Sequence, residues 1–364
     1  MIEELKHGVR RISTRNEDEI SSLLQLSARL GAEPLLVQAS TGNASIKLDG
    51  LLWIKASGQW LADARERNIL MPVELGRVRQ CMDRDQDIGA DFACPNRDGL
   101  RPSIETSMHA VLPHRVVIHV HSINTIAFAV QQDGPSLLAC RLAGMRWAWV
   151  PYAESGLPLA REIQRAMDFS SGSDIFILAN HGIVIGAEDC EKAEELLREV
   201  ERRLAVTPRR APDPEFNALE SISSALHWCV PAGTTLHALG SDAISRSIVM
   251  GGVLYPCQAI FFGPCTPVLR YPVRVADIRT RFADFAGASS FVIVEGCGVI
   301  VNGDMTQAES AMLTGLAQIV QRIGDLAQVR YLEGTELMRV LTANTGDYRG
   351  IPQKTVPSFS SPHS

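Results

Sequence analysis

The chain has 364 residues, room for two domains, and its 46% hydrophobic and 21% charged residues are an ordinary globular composition. Thirty-five basic against 41 acidic residues give a net charge of −6, which argues against bulk nucleic-acid or anionic-membrane binding. MIEELKHGVRRISTRNEDEI carries no apolar signal core, no run is long and apolar enough to span a bilayer, and the eight cysteines form no CxxC pair. A cytoplasmic protein with reduced thiols is expected.

Helical periodicity opens the chain from Glu17 to Leu30. Ala44–Leu48 and Leu51–Lys55 read as a β-hairpin turning at Asp49-Gly50. Val116–Val120 and Ile175–Leu178 are short β-branched runs, hence buried strands. AEDCEKAEELLREVERRL, residues 187–204, is an amphipathic helix that closes a first domain over 1–205. Pro208, Pro212 and Pro214 make 206–216 a linker. A second α/β domain is expected over 217–350, with strands Phe291–Val294 and Val299–Val301 around Gly296 and Gly298. Thr306 and Glu309 form a capping box that starts a helix. The Pro/Ser-rich end, 351–364, is expected to be disordered.

Nine histidines punctuate this pattern, and two of them lie in VVIHVHSIN. On a strand, His119 and His121 project from the same face, about 6–7 Å apart at the usual rise per residue. Two imidazoles so placed can chelate one metal ion. A wet strand face carrying two polar residues is the simpler alternative. His181, in IFILANHGIVIG, stands where a buried strand exits into a turn. Alone it reads as a turn-capping loop histidine. As a third ligand it would make a catalytic centre with an open coordination position. His109 follows Glu105 by four residues and reads as an ordinary helical partner. His7, His227, His237 and His363 have no companions, and His114 merely lies near the pair.

In RPSIETSMHAVL, Ser103 is the expected helix N-cap and Glu105 falls in the first turn. A carboxylate there suits the helix dipole and needs no further role. Close to a metal it could also act as general base and acid. Two small-residue turns, Ser40-Thr41-Gly42-Asn43 and Ser57-Gly58, could either present N–H groups to an anion or simply turn the chain.

Together the segments STGNASIK, LWIKASG, PSIE, HVH and NHG, with VPYAESG between the last two, resemble the class II aldolase/adducin family over about residues 17–205. The resemblance implies an α/β fold, a three-layer αβα sandwich around a mixed sheet, followed here by a smaller α/β domain. It implies a divalent metal held by His119, His121 and His181, usually zinc, with manganese, cobalt or iron also suited. It makes Glu105 the proton shuttle, and Ser40, Gly42, Asn43, Ser57, Gly58 and Ser103 the phosphate-binding set. Ile104 stands where many sugar-phosphate members have a second serine.

The implied activity is a lyase of carbohydrate metabolism that cleaves a hydroxyketone, a sugar phosphate above all, by a retro-aldol reaction. Decarboxylation of a keto acid or epimerisation would use the same site. A non-catalytic adducin-like scaffold and a metal hydrolase are the other classes. A homo-oligomer, a tetramer in many members, is implied too. LYPCQAIFFG and FVIVEGCGVIVNG resemble the C-terminal part of long-form members, the rhamnulose-phosphate aldolase part of bifunctional enzymes. No Gly-rich dinucleotide loop is present, so no fused dehydrogenase is expected.

Overall fold

In the computed structural model, residues 14–86, 88, 100–273, 289–324 and 329–343 are described. Helix α1 spans Thr14–Gly31. Strands β1 (Asn43–Leu48) and β2 (Leu51–Lys55) follow as the hairpin that the turn dictates. Asp49 and Gly50 have φ of 49° and 81°, the left-handed pair a two-residue type I′ turn requires. Leu48 therefore faces Leu51, and the ladder runs back to Ser45 opposite Ile54.

Strand β3 (Leu70–Glu74) runs into helix α2 (Leu75–Asp83). Helix α3 (Thr106–Val111) precedes β4 (Val116–Val120). The helix begins later than the sequence suggests. Glu105, not Ser103, occupies the N-cap position, while the Ser103 carbonyl accepts from Thr106 N at 3.0 Å. Helices α4 (Ile123–Ala129) and α5 (Gly134–Arg141), strand β5 (Trp147–Val150), helix α6 (Leu157–Phe169) and strands β6 (Ile175–Leu178) and β7 (Gly182–Ala187) come next. Helix α7 (Cys190–Leu204) closes the series.

The seven strands form one mixed sheet in the order β3-β2-β1-β4-β7-β6-β5, antiparallel except for β5 beside β6. Helices α1, α4, α5 and α7 contact one another in one layer, and α2, α3 and α6 in another. A three-layer αβα sandwich results. Strands β4, β6 and β7 are buried along their whole length, as two covered faces demand. Val117, Phe176 and Val184 pack against Met108, Leu159 and Ile163 from the α3 and α6 layer. Burying each such side chain contributes about 1.5–3 kcal/mol.

Contacts divide the chain into two compact units. The first is Met1–Ala129 with Asp133–Ala205; the second is Val130–Gln132 with the chain from Val206 onward. In the second unit, helices α8 (Phe216–Leu226), α9 (Thr234–Ser241), α10 (Ala243–Gly251) and α11 (Pro256–Phe262) precede strands β8 (Val268–Leu269), β9 (Phe291–Val294) and β10 (Gly298–Val301). Helices α12 (Gln307–Val320) and α13 (Gly334–Thr342) follow, and α12 starts on the complete Thr306–Glu309 capping box. The three strands pair in the order β10-β9-β8. Residues 206–215 have no regular structure, yet Arg209 is anchored by bonds to Asp242, Ser245 and the Val320 carbonyl. The segment 351–364 lies outside the described residues.

Candidate metal centre

Strand β4 is hydrogen-bonded on both sides. His119 lies opposite Asn43 of β1 and opposite Val184 of β7. His121 follows β4, and His181 precedes β7. The antiparallel pairing of β4 and β7 therefore brings 119, 121 and 181 to the same end of the sheet. Asn180 makes the turn into β7 with a left-handed φ of 53°, a conformation asparagine tolerates. The three rings have centroids 4.9–5.0 Å apart. All three histidines are buried, and their ligand atoms lie within 4.8 Å of one another.

The ring nitrogens are oriented for a cation. His119 Nδ1 lies 2.9 Å from the Ile183 carbonyl. A carbonyl only accepts, so Nδ1 holds the proton and Nε2 presents its lone pair. His121 Nε2 is 3.1 Å from that atom, close to the spacing of two nitrogens bound at about 2.0–2.1 Å to one tetrahedral ion. Burial pushes His121 well below the ordinary histidine value and lowers His181 to about 4, with Glu105 opposing. Both rings are neutral at pH 7, the state that metal binding needs.

Glu105 enters from the start of α3. Its carboxylate oxygens lie 3.3 Å from His181 Nε2 and 3.6 Å from His119 Nε2. Asn43 Nδ2 donates to Oε2 at 2.7 Å, and Ser155 Oγ to Oε1 at 3.2 Å. Burial alone would raise the Glu105 carboxyl. The imidazoles of His119, His181 and His121 and the Asn43 hydrogen bond outweigh it and hold the group well below the usual carboxylate range.

The small-residue turns gather beside this carboxylate. Gly42 has φ of 69°, and a Cβ there would meet the His119 carbonyl at 2.8 Å, so the close approach of this loop to β4 requires glycine. Ser57 N donates to the Arg101 carbonyl at 2.9 Å, and Ala56 bridges Pro102. Gly58, with φ of 71°, completes that turn. Ser103 Oγ accepts from Asn43 Nδ2 at 3.1 Å and from Glu105 N at 3.2 Å. The Ser40 carbonyl accepts from Lys55 Nζ at 2.8 Å.

Four participants escape sequence reasoning. Lys55 Nζ ties the carbonyls of Ser40 and Gln59, one from each turn, and burial lowers it to about 7 although Glu105 pulls it back. A lysine inside the apolar run LLWIK is the signal that could have marked it. Ser155 lies in VPYAESG, a segment noticed for its resemblance but given no site residue. Glu201 of α7 accepts from Ser122 and from Asn124 Nδ2, pinning the residues after His121. His109 is no simple helical partner of Glu105. Both its ring nitrogens are bonded elsewhere, to Ser45 and Asn43, and Asn43 stands between it and the carboxylate.

Comparison with known proteins falls on the same stretch. A chain described as the uncharacterized oxidoreductase YuxG of Bacillus subtilis (strain 168) is 26% identical over 202 residues, 50% of this chain and 29% of that one. This chain thus spans under a third of the curated relative's length. Among solved structures, the N-terminal class II aldolase domain of a conserved Thermoplasma acidophilum protein is 22% identical, with a TM-score of 0.45 over 55% of this chain and 96% of that one. L-fuculose-1-phosphate aldolase from Thermus thermophilus is 18% identical, with a TM-score of 0.37 over 52% and 91%. The family model for the class II aldolase and adducin N-terminal domain matches residues 22–207, a stretch that holds the whole sheet and every residue of the histidine cluster. On that match, the chain belongs to the class II aldolase and adducin family.

Proposed function

We propose that the first unit is a metal-dependent carbon–carbon lyase that cleaves a hydroxyketone, in the manner of a retro-aldol reaction. The observation that carries this reading is the convergence of three buried imidazoles beside a buried carboxylate 3.3 and 3.6 Å from two of them. His119, His121 and His181 would hold a divalent ion, zinc first among those that imidazole suits, with manganese, cobalt and iron as the alternatives. Such an ion supplies Lewis-acid stabilisation of the charge that develops on oxygen as the C–C bond breaks. Glu105, oriented by Asn43 and Ser155, takes the hydroxyl proton as the aldehyde carbonyl forms. It then returns that proton to the carbon left carrying the charge.

Ser40, Gly42, Asn43, Ser57, Gly58 and Ser103 would bind the substrate's anionic group through N–H and O–H donors. Assembly of the chain into a homo-oligomer belongs to the same reading. A scaffold would have no use for three buried imidazoles and a buried carboxylate, each costly to desolvate. Ile104 favours one variation. It is 47% exposed beside Ser103 and offers no hydroxyl. A keto acid to be decarboxylated, or a substrate to be epimerised, fits that loss of a phosphate donor. Metal content by mass spectrometry, for the natural chain and the His119→Ala/His181→Ala double variant, tests the centre. Product analysis separates aldehyde plus ketone from carbon dioxide or an epimer. A natural chain that takes up no zinc, manganese, cobalt or iron would overturn the reading.

A further inference from the structure

We infer that His109 is a positioning residue for Glu105, acting through the amide of Asn43, and that Ser45, His109 and Asn43 form a hydrogen-bond chain with a single direction. This rests on the proposal that Glu105 carries the proton.

The geometry is built from two commensurate spacings. Asn43 and Ser45 are two apart on β1 and share a face. Glu105 and His109 are four apart, from the N-cap of α3 to its last turn. Two strand residues rise about 6.6 Å and four helix residues about 6 Å, so the two offsets nearly match. The four side chains therefore alternate across the interface as Glu105, Asn43, His109, Ser45. Asn43 Nδ2 is 2.7 Å from Glu105 Oε2, His109 Nε2 bonds Asn43 Oδ1, and Ser45 Oγ is 2.7 Å from His109 Nδ1. Ser45 and His109 are fully buried, and Asn43 and Glu105 are 4% and 5% exposed.

The direction follows from what each group can do. Asn43 Nδ2 stands 2.7 Å from Glu105 Oε2 and 3.1 Å from Ser103 Oγ, while its Oδ1 bonds His109 Nε2, so the NH2 faces Glu105. The amide oxygen is then turned toward His109, whose Nε2 must donate. The ring is neutral, since burial lowers it to about 3. Its Nδ1 therefore accepts, and the Ser45 hydroxyl donates. No group in the chain has a free choice of orientation.

Asn43 is fully used by these bonds. One amide hydrogen serves Glu105, the second serves Ser103 Oγ, and the oxygen serves His109. A phosphate on this loop would therefore compete for a donor that is already engaged. If His109 could not donate, the Asn43 oxygen would be buried without that partner, and the amide would lose the bond that holds it from behind against the carboxylate.

His109→Met fills the space without a donor, whereas His109→Gln places an N–H near the position of Nε2. The chain loaded with zinc is compared for the three sequences. Long-range proton–nitrogen NMR of the imidazoles is expected to show natural His109 as the Nε2–H form, unchanged from pH 5 to 9. The Asn43 amide signals are expected to shift in His109→Met and to stay near their natural positions in His109→Gln. With hydroxyketone substrates, His109→Met should lower kcat about 10- to 100-fold, the usual cost of losing an orienting partner. KM and bound zinc should change less than about twofold, and His109→Gln should recover most of the loss. An Nδ1–H ring, full kcat in His109→Met, or no recovery by His109→Gln would each overturn the inference. If no hydroxyketone turns over even in the natural chain, the lyase reading fails, and the NMR signals alone then decide the positioning role. If His109→Met does not fold, natural His109 and His109→Gln still decide it by tautomer and amide signals.

Discussion

Buried histidines occur in both units, and they differ in what their nitrogens meet. In the second unit His237 is fully buried, its Nε2 2.8 Å from the Pro231 carbonyl, while its Nδ1 accepts from Val299 N at 3.1 Å. Both nitrogens are spent on backbone, and the ring locks α9 against β10. In the first unit His119 spends only Nδ1 on backbone, and its Nε2 faces His121. Burial is the same, so burial does not mark a site. What marks it is a set of ring nitrogens converging on one another. The lysines repeat the lesson. Lys47 Nζ serves the carbonyls of Leu112 and His114 at the end of α3, a capping role. Lys55 makes two similar bonds but joins the two turns beside Glu105.

The largest effect should come from emptying the cluster. The His119→Ala/His181→Ala variant is expected to lose bound divalent metal entirely, whereas His237→Ala should retain it; equal metal content in both would erase the contrast. Next, Glu105→Gln should keep the metal but lower turnover about 10²- to 10⁴-fold, the range for a general acid–base group. Retained activity would move the proton transfer elsewhere. His237→Ala leaves the Val299 N–H buried without a partner, so about 1–3 kcal/mol of stability should be lost in denaturant titration. Gly42→Ala should cost about 1–3 kcal/mol from its positive φ, plus displacement of the His119 carbonyl, and should weaken metal binding as His237→Ala does not. The last effect is a slope. Lys47 and Lys55 fall from 10.5 to about 7, by burial, in the folded chain. Between those values the unfolded chain holds more protons, so stability rises with pH across that window. Lys55→Met should flatten the rise and leave the share due to Lys47. An unaltered slope would mean that Lys55 keeps its charge when folded.

How much of this was legible in the sequence depends on the range of the interaction. Strands β4 and β6 could be read from β-branched runs, and the β1–β2 hairpin from Asp49-Gly50, because turn geometry and pleat are local. The shared face of His119 and His121 is equally local, a matter of strand period. Glu105 beside them came from resemblance rather than spacing, since α3 and β4 are joined by a loop that sets no angle between them. The Asn43–Glu105 and Asn43–His109 bonds span 62 and 66 residues, and Ser155 reaches Glu105 across 50. No periodicity records contacts of that kind. Ser103 misled for a related reason. Its hydroxyl does accept a backbone N–H, from Glu105, but the helical turn proper begins at Thr106. In the second unit the strands around Gly296 and Gly298 were legible, whereas the anchoring of Arg209 inside a Pro-rich stretch was not.

The position of β4 has a kinetic consequence. His119 sits on a strand laddered to β1 and β7, with helices over both faces of the sheet. Segments that open by local fluctuation are those with few buried contacts and exposed hydrogen bonds, and this strand has neither. The β4 amide hydrogens should therefore be among the slowest of the first unit to exchange, and His119 should stay fixed in place for as long as the sheet stays closed.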